Sequence, residues 1–176
     1  MAVKEGDEVV PRLNKVIKAA RSARVPVIFT RDWHPADHIS FRAQGGIWPP
    51  HCVQGTPGAA FHPSLEVPAG ATIISKGDDP GAEAYSGFQG TDLAQRLSAM
   101  RVSEVIIGGL TTDYCVKQSA LDALQAGFKV NVMEDCVRAV DVKPGDGARA
   151  ISAIRKAGAK IIDSSIAVKQ MASTQQ

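Results

Sequence analysis

The chain has 176 residues, 44% hydrophobic and 22% charged, which is the size and composition of one soluble globular domain. Its 20 Lys and Arg against 18 Asp and Glu leave a net charge of +2, which argues against a general nucleic-acid binder or a membrane-attracted surface. No apolar run approaches the length of a bilayer span, the first six residues lack the greasy stretch of a secretory signal, and three cysteines without framework spacing fit a reducing compartment, so a cytoplasmic protein with neither membrane nor nucleic-acid partner is expected.

In chain order, Asp7–Ser22 reads as a helix with Val10, Leu13, Ile17 and Ala20 on one face. Val25–Thr30 (VPVIFT) and Ala71–Ser75 (ATIIS) are short runs, apolar on both parities, which suits parallel strands buried on both faces. Between them, residues 31–70 concentrate Gly, Pro, His and Trp in a longer irregular stretch than a compact domain carries without a functional reason. Thr91–Met100 is a helix opened by Thr91 and Asp92 as a cap, and Val102–Gly109 is the next strand. Helix Asp113–Ala126, strand Phe128–Met133, helix Gly147–Ala157 and strand Ala159–Asp163 follow, with Gly127 and Gly158 just past the two helices where left-handed caps need glycine. The alternation predicts an α/β domain of three layers, α/β/α, around a central parallel sheet. Residues 1–168 are expected to form that domain and 169–176 a polar, frayed tail. A sheet of this kind normally starts with a strand, yet no apolar strand precedes Asp7.

Three groups of reactive residues stand at strand ends, where open α/β sheets bind ligands. Asp32 and His34 alternate by two in an extended segment and so point the same way, and His51 can join them from the same loop. Two imidazoles and a carboxylate suit zinc, iron or manganese with positions left open, although the same residues also read as ordinary polar loop groups. Cys115 lies in the first turn of a helix entered directly from the glycine pair Gly108 and Gly109. Free N–H groups and the dipole there favour a thiolate and can form an oxyanion hole, whereas the plainer reading is a buried structural cysteine. Lys76 ends the second strand and can stabilise negative charge beside Cys115, or simply extend to solvent. That all three fall on one sheet edge points to a cysteine nucleophile beside a metal, hence acyl transfer or hydrolysis.

Four motifs carry a resemblance: T-R-D-W-H-P-x-x-H-x-S-F from Thr30, W-P-x-H-C-V-x-x-T-x-G-A from Trp48, K-x-x-x-P-x-x-E-A-Y-S-G-F from Lys76 and G-G-L-T-T-D-Y-C-V from Gly108. With them the chain, from about Glu5 to Ile162, resembles the nicotinamidase/pyrazinamidase branch of the isochorismatase-like cysteine hydrolases. The resemblance implies that Cys115 attacks a carboxamide carbon, releasing ammonia and forming a thioester that water hydrolyses. It makes Lys76 the catalytic lysine, and Asp32, His34 and His51 the ligands of a divalent metal that holds a pyridine nitrogen, zinc before iron or manganese. It makes Leu110–Thr111 a cis peptide that turns the N–H groups of Thr111 and Cys115 toward the oxyanion. It sets Trp48, with Tyr85 near it, against the ring of a nicotinamide-like substrate, and His38 and Ser40 in the scaffolding of the pocket. Pyrazinamide-like amides, or metal and ligand binding without turnover, are the alternatives, and a homo-oligomer is expected. Members of the family begin with a further apolar strand carrying the Asp of a Cys–Asp–Lys triad. The residues from Ala2 to Asp7 match a later segment, so the expectation is that this strand and its Asp are absent and that activity suffers.

Overall fold

A computed structural model describes residues 3–173. A 3-10 turn, Gly6–Glu8, leads into α1 (Val9–Ser22). Then follow β1 (Ile28–Asp32), β2 (Thr72–Lys76), α2 (Leu93–Ala99), β3 (Glu104–Leu110), a wide π-turn over Thr112–Val116, α3 (Lys117–Gln125), β4 (Lys129–Arg138), α4 (Asp146–Lys156), β5 (Lys160–Ile162) and α5 (Ser164–Ser173). β1 starts three residues later than the apolar run suggests. The Val25 N–H is spent on Ala20 O at 2.8 Å and Pro26 has no N–H, so pairing begins only beyond them.

The α/β class and the parallel pairing hold. Within the described residues the strands make two sheets, β1–β2 and β3–β4–β5, all parallel. The β3–β4 register jumps from Ile107 opposite Val132 to Gly109 opposite Val137, and β4 continues to Arg138 past the end of its apolar run. β1 and β3 both line a cavity of about 920 Å³, with Phe29 and Arg31 from the first and Ile106, Gly108 and Leu110 from the second. Ile106 faces that cavity, and Val105 and Ile107 line a second one of about 620 Å³, which explains why all three are only half-buried although helices lie on both faces of the molecule.

Two apolar clusters make the outer layers. On one face α2, α3 and α4 contribute Leu97, Ala120, Ala123 and Ile154, which pack with Val130 and Val132 of β4. On the other, Val16 and Ala20 of α1 meet Ala167 and Met171 of α5 over Met133 and Cys136. α5 reaches into the segment expected to be a polar tail; residues 174–176 of that tail lie outside the described residues. Its buried stripe is only Ala167 and Met171, one turn apart, so Lys169 and Gln170 between them conceal the helix in the sequence.

Ile154 is fully buried between α4 and the sheet. Ile154→Ala is expected to cost about 2–5 kcal/mol of stability, read as a lower urea midpoint with an unchanged slope.

Candidate active site

The parallel register sets Asp32, the last residue of β1, opposite Lys76, the last residue of β2. Beyond β1 the chain stays extended. His34 bridges to Val53, with its N–H on Cys52 O at 2.9 Å and the Gln54 N–H on its own carbonyl at 2.9 Å. This pins the His51 loop against the end of β1. The ligand atoms of Asp32, His34 and His51 all lie within 4.8 Å of one another.

Both imidazoles are oriented for a cation. His34 Nδ1 is 2.9 Å from Gly77 O and His51 Nδ1 is 2.9 Å from Pro49 O. A carbonyl only accepts, so each Nδ1 carries the proton and each Nε2 lone pair is left for a ligand. Burial pushes His34 below its ordinary pKa, against the pull of the Gly77 hydrogen bond and the Asp32 charge, and so favours the neutral ring that binds metal. Two neutral imidazoles and one carboxylate are a fitting donor set for a divalent ion. Gly77 is required here: its φ is +66°, and a Cβ on it would stand 2.5 Å from His34 Cε1.

Lys76 is 3% exposed and its ammonium is fully engaged. It donates to Asp32 Oδ1, to Ala84 O at 2.9 Å and to Cys115 Sγ at 3.4 Å. Burial alone would lower its pKa, but Cys115 and Asp32 outweigh burial and hold it above the ordinary lysine value. Burial raises the Cys115 thiol, while the Lys76 charge and a backbone hydrogen bond from Thr111 work the other way. Cys115 sits in the π-turn after β3, and the Leu110–Thr111 peptide bond preceding it is cis. The other thiols lack such a cation at hydrogen-bond distance: burial pushes Cys52 up to about 11 and Cys136 up to about 12.

An aromatic wall faces this centre. Trp48 Nε1 donates to Tyr85 Oη at 2.9 Å, and Tyr114 meets Trp48 edge-on with ring centroids 5.0 Å apart and lies 5.5 Å from Tyr85. All three line the cavity that also contains Asp32, His34, His51 and Cys115. Burial raises the Tyr85 phenol to about 12, so it stays neutral. A largely apolar aromatic corner of this kind is what a small planar ring fills.

An isochorismatase-domain model matches residues 1–166. The chain belongs to the isochorismatase family. Its relatives include the nicotinamidase of Escherichia coli, 41% identical over 182 residues spanning 92% of this chain and 85% of that protein. Among solved structures, the zinc complex of Pyrococcus horikoshii pyrazinamidase superposes with a TM-score of 0.87 at 47% identity, covering 92% of this chain and 88% of that one. An L. infantum protein in complex with nicotinate gives 0.82 at 34%, covering 93% and 83%. Among the described residues, no helix of this family member is long and apolar enough to cross a membrane.

The residues singled out in the sequence converge: Asp32, His34 and His51 in one group, Lys76 and Cys115 in another, joined by the Lys76–Asp32 contact, with Trp48 and Tyr85 opposite. His38 stays outside the metal group. It is fully buried, its Nδ1 meets Ser40 Oγ at 2.7 Å and its Nε2 meets Ala82 O at 3.0 Å, so neither nitrogen is free, and its ring stacks on His34 at 4.2 Å. Two further residues belong to the site. Tyr114, beside Cys115 in the π-turn, lines the same cavity and packs edge-on against Trp48, which its place in the sequence does not dictate. Asp113 carried no signal: its carboxylate accepts the N–H groups of Val140 at 3.0 Å and Asp141 at 2.8 Å, tying a distant loop beside Tyr114.

Gly77→Ala is expected to tilt His34 out of place and weaken zinc binding by about 10- to 100-fold in calorimetric titration, while the fold melts cooperatively. Asp113→Ala removes the acceptor of two backbone donors that water can partly replace and is expected to cost about 0.5–1.5 kcal/mol, measured by urea unfolding.

Proposed function

We propose that this chain is a nicotinamidase-type amidohydrolase, converting nicotinamide and water to nicotinate and ammonia through a thioester on Cys115. The observation that carries the reading is the Lys76 ammonium, buried and shared between Cys115 Sγ and the carboxylate of Asp32, at the edge of the His34 and His51 pair. Such a cation stabilises a thiolate in a site that water does not screen well.

In this reading Trp48, Tyr85 and Tyr114 hold the ring of the amide in the cavity, which leaves its carboxamide facing Cys115. The sulfur adds to the carboxamide carbon and the C=O electron pair moves to the oxygen; the pair returns as the C–N bond breaks, and the proton released from the thiol leaves with the nitrogen as ammonia. The N–H groups of Thr111 and Cys115 are assigned to the developing oxyanion. Water then cleaves the thioester, returning the thiol and releasing the carboxylate. Asp32, His34 and His51 would hold a divalent ion, which supplies a Lewis-acid seat for the ring nitrogen of the substrate. Zinc is the first choice because the donor set is imidazole and carboxylate, with iron and manganese as substitutes. The similarity to a pyrazinamidase makes pyrazinamide a second substrate. A cytoplasmic homo-oligomer completes the reading.

Ammonia release from nicotinamide and pyrazinamide tests it. The zinc-loaded protein is expected to turn over both. Cys115→Ala is expected to release no ammonia yet keep its zinc, and Lys76→Met to lose about 100- to 10,000-fold in rate. A folded, zinc-loaded wild-type protein that binds nicotinamide without releasing ammonia would make this a binding homologue instead.

A further inference from the structure

The group of metal-ligand type and the nucleophile touch a common side chain. Asp32 belongs to the triad with His34 and His51, and it is also the acceptor for Lys76 Nζ, whose other polar neighbours are Ala84 O at 2.9 Å and Cys115 Sγ at 3.4 Å. Lys76 is enclosed, so its ammonium divides its attention between these three with no solvent to take up the difference. The groups therefore form a row of contacts: carboxylate, ammonium, sulfur. In a row of this kind, half-buried and poorly screened, the outer anion competes with the sulfur for the cation and also repels the thiolate directly.

We propose that Asp32 couples cation binding to the nucleophile: a divalent ion that draws on the Asp32 carboxylate loosens its hold on Lys76 and turns the ammonium toward Cys115. Asp32 is then a positioning residue for the thiolate as well as a ligand. Its backbone position brings the two contacts together. The β1–β2 register sets Asp32 against Lys76, and the two-residue alternation sets it beside His34. The inference rests on the proposed nucleophile and metal group, and it adds that the metal acts on the sulfur as well as on the substrate ring.

The test measures the reactivity of one thiol without any substrate. Metal-stripped full-length protein, and the same protein loaded with zinc or manganese, are exposed to iodoacetamide. Labelling of the Cys115 peptide is followed by mass spectrometry, which keeps Cys52 and Cys136 separate. Metal content is measured in parallel. Both ions are expected to speed Cys115 labelling by about tenfold, the equivalent of one pKa unit from a neighbouring charge. Asp32→Asn is expected to label fast without metal and to lose the response to it. Bound metal that leaves the rate unchanged, or slows it, overturns the coupling while leaving the metal assignment intact. Failure of either ion to bind overturns both. If Asp32→Asn does not fold, the stripped and loaded wild-type rates decide alone.

Discussion

A lysine ammonium cannot be buried without partners, and the site is arranged around that constraint. Removing one partner from a buried ion pair costs on the order of 3–5 kcal/mol, because the remaining charge has lost its water and gained nothing. Lys76 therefore needs Asp32, Ala84 O and Cys115 where they are. Each comes from a different part of the chain: the end of β1, the loop after β2, and the turn after β3. A cation that unites three segments also ties the two sheets together at the ends that carry the candidate site, where no strand hydrogen bonds join β1 to β3 among the described residues.

The surroundings follow from where the hydrogen bonds of the backbone can go. The extended segment after β1 finds its partners in the Cys52–Gln54 stretch, and this brings His51 to His34. The carbonyls of Gly77 and Pro49 then take the Nδ1 protons. The ring of His38, held at both nitrogens, fills the space behind His34. Thus the two imidazoles of the candidate metal group are oriented by backbone carbonyls and by a packed histidine, with little freedom left to the rings themselves. The aromatic wall is assembled in the same manner, Trp48 being held by Tyr85 at its indole nitrogen and by Tyr114 across its face.

Much of this was legible in the order of residues. Parallel strands announce themselves by runs such as ATIIS and VIIGG, and the reactive residues stand at their ends because that is where side chains meet across a sheet edge. Asp32 and His34 needed only the period of a strand. Less was readable where the signal is a single contact. Asp113 looks like any acidic residue at a helix start until Val140 and Asp141 are seen to fold back on it. α5 hides because Ala167 and Met171 alone mark its buried side. β1 and β3 have the composition of strands paired on both edges, yet among the described residues each is paired on one edge only. The role of Asp32 toward Lys76 depends on register, which composition does not encode.

The central claim is that Cys115 carries the acyl group. The most direct measurement is an acid quench of the zinc-loaded protein during turnover of nicotinamide, followed by peptide mass spectrometry. The account predicts a nicotinoyl thioester on the peptide containing Cys115. Ammonia release with that peptide unmodified and an adduct on Cys52, or with no adduct at all under conditions that preserve thioesters, would contradict it.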